Sequence, residues 1–241
     1  MSDPLVLEKI LRQSLRKSLG THVGVGVTDP QHPAPPLWPA EEPATIRMID
    51  KRRREFAAGR AAARAAMADL GLSPAAIPMN PDRAPRWPDG LCGSLSHCAT
   101  AAVAIVARCE DTPSLGIDIE EDTDLPPDLW PDILTAREHD WLMAQVPSSR
   151  GHHAKSIFTA KEAVHKLHYP LSGQVLGFDD VTITLAPHSF WTQLPIGVPG
   201  LPEMIYGHIF RAENLLITAI TGTQKPAQQA GTMREYKASL T

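Results

Sequence analysis

The chain has 241 residues, 43% hydrophobic and 21% charged, with a formal net charge of −4. That length allows one large domain or two small ones of ordinary globular composition. The acidic balance excludes a general basic field for nucleic acid, no apolar run reaches the ~18 residues of a membrane span, and the opening Met-Ser-Asp-Pro does not begin a signal peptide.

Leu7, Ile10, Leu11 and Leu15 fall at helical spacing beside Arg12, Arg16 and Lys17. They predict an amphipathic helix packed on the protein, with a membrane-surface helix as the alternative. Residues 23–28 alternate valine and glycine and read as a strand, followed by a proline-rich loop over 29–43. Thr45 is expected to cap a helix that runs to Leu70 and stops at Gly71. Ile49, Phe56, Ala63, Met67 and Leu70 form its core face, while Arg53, Arg60 and Arg64 share another. Gly59 marks a kink or a close approach. A second proline-rich loop, 73–90, carries Arg83 and Arg86.

Strands are predicted over 93–97 and 101–107. A turn at 111–114 then folds 115–120 back as a hairpin, bringing Asp118 to Ser96 and His97. Helices are predicted over 135–143 and 155–168, the second with Ile157, Val164 and Leu167 inward. Gly151-His152-His153 ahead of it reads as loop. Strands follow at 181–185, 208–212 and 215–220, the last two joined at Glu213-Asn214. Residues 224–241 lack a core pattern and are expected to fray. Cys92, Cys98 and Cys109 are an odd count at no zinc-ligand spacing, so free thiols in the cytoplasm are expected.

Residues 116–120 read Gly-Ile-Asp-Ile-Glu. Side chains alternate along a strand, so Asp118 and Glu120 project together and Ile117 and Ile119 lie behind them. Two acids on one face suit a hard cation; two solvated acids at a strand end are the plainer reading. Residues 158–166 read Phe-Thr-Ala-Lys-Glu-Ala-Val-His-Lys and supply Glu162 between Lys161 and Lys166. Alone, Glu162 and Lys166 make an ordinary surface ion pair. With Asp118 and Glu120 they fit a divalent metal bound to a diphosphate, acids for the metal and lysines for the phosphoryl oxygens.

Gly93-Ser94-Leu95-Ser96-His97-Cys98 is not a nucleophile elbow, because neither serine has a glycine two residues on. Ser96 and His97 suit hydrogen-bond donation to a phosphate, against the plainer reading of a core histidine. The arginine face is either solvated or a forked grip on a phosphate monoester.

Four blocks in order resemble one family: Lys51-Arg52-Arg53-Arg54-Glu55-Phe56 with Gly59-Arg60 and Ala63-Arg64, residues 83–88 leading into 93–98, residues 116–120, and residues 158–166. The chain resembles the long, double-length 4′-phosphopantetheinyl transferases, and within them the enterobactin-synthase branch. The resemblance implies an α+β pseudo-dimer of two similar subdomains, residues 1–115 and 116–223, with the active site in the cleft between them and 224–241 as a flexible tail. It implies coenzyme A as co-substrate, with Mg²⁺ or Mn²⁺. The 4′-phosphopantetheine arm is expected to pass to a serine of an apo carrier protein of a peptide, polyketide or siderophore synthase, releasing adenosine 3′,5′-bisphosphate.

Carried over residue by residue, Asp118, Glu120 and Glu162 match the metal ligands. Lys161 and Lys166 match the lysines at the diphosphate, Ser96 and His97 the pair at coenzyme A phosphates, and Arg53 and Arg60 the 3′-phosphate side. Arg83 matches a further basic position, with Arg86 as a rival. Glu162 is the expected base for the serine hydroxyl, directly or through a metal-bound water, with Asp118 and Lys166 completing the catalytic set. Leu129, Trp130 and Ile133 are the expected apolar surface for the carrier. A monomer is expected, since both halves share one chain. A metal-dependent phosphohydrolase acting on coenzyme A and a non-enzymatic coenzyme A binder are the rival functions.

Overall fold

A computed structural model describes residues 4–33 and 35–223, so the tail expected to fray lies outside the described residues. In chain order the elements are α1 (Pro4–Leu19), β1 (Gly24–Thr28), α2 (Asp50–Asp69), β2 (Leu91–His97), β3 (Ala102–Arg108), β4 (Leu115–Glu121), α3 (Trp130–Ile133), α4 (Ala136–Met143), α5 (Arg150–Ser172), β5 (Thr184–Ala186), β6 (Ser189–Gln193), β7 (Met204–Ala212) and β8 (Leu215–Thr221). They build an α+β fold with two antiparallel sheets, ordered β1-β3-β2 and β4-β8-β7-β6-β5. In both sheets the first strand pairs with the last of the chain's run, and a long helix, α2 or α5, packs on that first strand.

Glycines set how closely those helices approach. A side chain at Gly24 or Gly26 would overlap the carbonyls of Ala66 and Ala62 on α2. One at Gly116 would overlap the Ala163 carbonyl on α5. Small residues on the helices complete the fit, with Ala62, Ala63, Ala66, Ala160 and Ala163 all fully buried. A shared core joins the two sheets. Leu11 and Leu15 of α1 pack with Val25, Ile105, Ile117 and Ile217. This seats α1 against protein on both sheets rather than leaving its apolar face for a membrane. No described helix is long and apolar enough to cross one.

Several expectations need correction. Helix α2 begins at Asp50, not Thr45. Thr45 closes a 3-10 turn over Glu42–Thr45, and Ile49 has an extended backbone that interrupts the helix, so its side chain is 73% exposed rather than core. Gly59 causes no kink: α2 is continuous through it, and a side chain there would make an ordinary contact with Leu95. Strand β4 does not form a hairpin with β3. It pairs with β8, a partner far along the chain, and lies beside β2 across the junction of the sheets. Gly151, His152 and His153 are in α5, which starts five residues earlier than the periodicity of its core face suggested. The strand expected at 181–185 is β5, three residues preceded by the 3-10 turn Phe178–Asp180. Strand β6 was not expected at all. The hairpin at Glu213-Asn214 is present, with both residues at positive φ as a two-residue turn between twisted strands requires. All three cysteines are free.

Candidate functional site

The candidate acids are carried by β4 and α5, which pack on each other beside the junction of the sheets. Strand β4 presents Asp118 and Glu120 on one face, and α5 crosses it closely at Gly116. Lys155, Thr159, Glu162 and Lys166 recur at i, i+4, i+7 and i+11 along α5 and share one face. Strand β2 comes from the other sheet. The Ile117 amide donates to Ser94 Oγ (3.1 Å), and the Ser96 hydroxyl donates to Asp118 Oδ1 (2.7 Å). Lys166 Nζ donates to Asp118 Oδ1 (2.7 Å) and to Ser96 Oγ (3.1 Å). Asp118 is only 4% exposed, and its second oxygen, Oδ2, is buried without a hydrogen-bond partner. A buried carboxylate oxygen with no donor is costly in a settled core and expected where a ligand binds.

Burial pushes the Glu120 carboxyl above the usual carboxylate range; the hydrogen bond from Lys155 (2.9 Å) draws it back, and Asp118 pushes it up again. Burial likewise raises Glu162. Lys166 opposes the shift, and Asp118 and Glu120 add to it. The three acids are therefore electrostatic neighbours that repel one another. As the side chains stand, no group of three or more His, Cys, Asp or Glu among the described residues is spaced to hold a metal ion. Lys166 and Lys155 hold Asp118 and Glu120 in ion pairs, Lys166 through Asp118 Oδ1 alone, which leaves Asp118 Oδ2 for an ion. The donor set still fits one: three carboxylates, mutual repulsion that a cation relieves, and the unbonded Asp118 Oδ2.

His97 ends β2. Its imidazole contacts the Arg52 guanidinium, and its Nδ1 lies 3.9 Å from Glu55 Oε2. Burial, then Arg52, lowers its pKa. Arg53 is exposed in the first turn of α2. Arg60 is buried: its Nε donates to the Ile77 carbonyl (2.8 Å), its guanidinium sits 3.9 Å over the Phe56 ring, and burial pushes its pKa down to about 10. Arg64 is not part of a solvated or ligand-facing stripe. It is committed to the fully buried Glu41 at 2.8 and 2.9 Å. Arg83 is exposed, at φ 72°, in a turn closed by its amide on the Asn80 carbonyl. Arg86 is also exposed.

Lys161 departs most from expectation. It is 3% exposed and paired with Glu138 (2.7 Å), not with Asp118 or Glu120. Residues 161 and 162 point about 100° apart on a helix, so the Lys161 ammonium turns to Glu138 while Glu162 lies on the face shared with Lys166. The apolar docking surface fails in part as well. Ile133 is buried, and the Trp130 indole N–H is tied to the Leu125 carbonyl, leaving Leu129 exposed at 41%. Sequence reasoning missed Lys155, Arg52 and Glu138. Lys155 was within reach, since it lies seven residues before Glu162 and so on the same face.

A groove of about 320 Å³ is lined by Lys161 and Glu162 of α5 together with His168, Leu176, Phe178 and Val181, among others. A larger cavity of about 620 Å³, lined by Trp141, His152, His153 and Arg211 among others, includes none of the candidate acids.

Family models match both halves of the chain: the 4′-phosphopantetheinyl transferase N-terminal domain over residues 40–107, and the 4′-phosphopantetheinyl transferase superfamily over residues 114–203. The chain is similar to the 4′-phosphopantetheinyl transferase Svp of Streptomyces mobaraensis, 37% identical over 216 residues, 86% of this chain and 85% of that one. It is similar to PptT of Mycobacterium tuberculosis, 39% identical over 155 residues, 64% and 68% of the two chains. Enterobactin synthase component D of Salmonella typhimurium is 34% identical over 180 residues, 71% and 72%.

Proposed function

The chain belongs to the 4′-phosphopantetheinyl transferases, enzymes that move phosphopantetheine onto carrier proteins, and on that premise we propose that Asp118, Glu120 and Glu162 hold Mg²⁺ against the diphosphate of coenzyme A. One observation carries the assignment. Asp118 is gripped on one oxygen by Ser96 and Lys166, its other oxygen is buried and unbonded, and Glu120 and Glu162 are its electrostatic neighbours.

When bound, the metal neutralises the diphosphate and stabilises the leaving phosphate. Lys166 offsets charge that builds as the bond breaks. Glu162, on the α5 face shared with Lys166, takes the proton of the carrier serine. The serine oxygen bonds to the phosphorus bearing the arm, that phosphorus parts from the bridging oxygen, and adenosine 3′,5′-bisphosphate leaves. Ser96 orients Asp118. His97, Arg53 and Arg60 take the phosphate and adenine side, with Arg83 a further contact. The uncharged pantetheine arm lies in the groove beside Glu162, whose apolar wall is Leu176, Phe178 and Val181.

The repeated strand order, with a helix on the first strand of each sheet, supports a pseudo-dimer of subdomains 1–115 and 116–223 with the site between them. Both halves in one chain support a monomer, and three free thiols support a cytoplasmic setting. Similarity to an enterobactin synthase component favours a peptide-synthetase or siderophore carrier.

The test is loading of an apo carrier, followed by intact mass. Asp118→Asn keeps shape and removes charge, and is expected to cost on the order of 100-fold or more. Chelation stops the wild type, and Mg²⁺ or Mn²⁺ restores it. Wild-type loading by Asp118→Asn, or loading indifferent to chelation, would remove the metal assignment. Bisphosphate release without a carrier would make the protein a hydrolase.

A further inference from the structure

The ammonium of Lys161 has three N–H donors and meets three oxygen acceptors: Glu138 Oε2 at 2.7 Å, the Ile133 carbonyl at 2.8 Å and the Phe178 carbonyl at 2.5 Å. No donor is left for a phosphate. Glu138 is equally engaged. Its Oε2 also accepts from the Thr135 amide (2.7 Å) and its Oε1 from the Ile183 amide (2.6 Å), with 2% of the residue exposed. Through this one ion pair α5 is tied to the end of α3, the start of α4, the 3-10 turn at Phe178 and the approach to β5. Phe178, Glu162 and Lys161 itself all line the groove.

We infer that Lys161 is a positioning residue: paired with Glu138, it holds the Leu176, Phe178 and Val181 wall at a fixed distance from Glu162, and so sets the groove for the neutral arm of coenzyme A. This rests on the reading of that groove as the arm's site. A buried ion pair is a poor source of stability but a strong constraint on geometry, because neither charge can be left alone in the interior. The segment after α5 has no ladder of its own until β5, so its placement depends on such anchors.

The experiment compares binding of two probes by calorimetry: coenzyme A, and adenosine 3′-phosphate 5′-diphosphate, which keeps the diphosphate and the 3′-phosphate and lacks the arm. Wild type is expected to bind coenzyme A more tightly; equal affinities would show that the arm gains nothing from the groove, and the groove reading itself would fail. In Lys161→Met the affinity for coenzyme A is expected to fall at least tenfold, towards that of the armless probe, which stays within twofold of wild type. Glu138→Gln, which leaves the Lys161 charge in place, is expected to reproduce the same selective loss and to raise the KM for coenzyme A more than it lowers kcat. Lys161→Met/Glu138→Met removes both charges together and guards against misfolding from one orphaned ion; it keeps the armless probe at wild-type affinity. A parallel loss of both probes in Lys161→Met would mean a direct phosphate contact and overturn the proposal. So would unchanged coenzyme A binding in Lys161→Met or in Glu138→Gln.

Discussion

Gly116→Ala tests whether the approach of α5 to β4 assembles the site. A methyl at Gly116 would overlap the carbonyl oxygen and carbon of Ala163 and crowd Leu167 Cβ, so it meets helix backbone that cannot rotate aside. The helix must retreat by on the order of 1 Å. Overpacking of this kind costs about 1–3 kcal/mol, or roughly 5 °C in Tm for a chain of this size at about 2–4 °C per kcal/mol. Glu162 and Lys166 ride on the same helix and would move off Asp118 and Glu120. A misplacement of about 1 Å between reacting groups costs about 100-fold in rate. Single-turnover carrier loading by intact mass, beside a thermal melt, separates the two effects. Gly59→Ala is the control: its methyl would lie 3.6 Å from Leu95 Cδ1, and it should gain roughly 0.5–1 kcal/mol from helix propensity with normal loading. A folded Gly116→Ala protein that loads carrier within about threefold of wild type would refute the reasoning that rate losses track this displacement.

Glu41→Leu should destabilise the protein by about 3–5 kcal/mol in urea unfolding, because it strands Arg64 and frees the Trp38 and Ile77 amides; a loss under about 1 kcal/mol would deny the pair its structural role. His168 is fully buried, and burial pushes its pKa from 6.5 down to about 4. Below pH 6.5 the unfolded chain takes up a proton that the folded one refuses, so stability falls between pH 6.5 and about 4 and levels off beneath. By about pH 4.5 the loss reaches ~2.5 kcal/mol. His168→Gln should flatten that slope, and an identical slope in both proteins would count against it.

The site was legible where its periodicity is local. Asp118 and Glu120 alternate within one strand, and Glu162 and Lys166 lie one helical turn apart, so their faces follow from the backbone alone. What remained hidden depended on partners far away in sequence. Nothing near Arg64 or Lys161 announces that Glu41, in a proline-rich loop, or Glu138, in a short helix, will capture them. Asp118 does reach Ser96 as expected, but through a contact between sheets rather than the hairpin its turn residues suggested, because the true partner of β4 is β8. Lys155 opens the helix that periodicity predicts, and only its spacing from Glu162 and Lys166 marks it as part of their face. Strand β6, Ser189-Phe190-Trp191-Thr192-Gln193, is too short to announce itself by alternation.

The placement of α1 carries a consequence for dissecting the protein. Its leucines are covered by strands from near the start of the chain and by the final two, and its Arg12 and Arg16 both reach Asp69 at the end of α2. A break made between β3 and β4 would not yield two self-sufficient pieces. Each would carry a naked apolar flank that only the other can cover, which makes that connection a natural place for a split enzyme whose fragments regain activity on recombination.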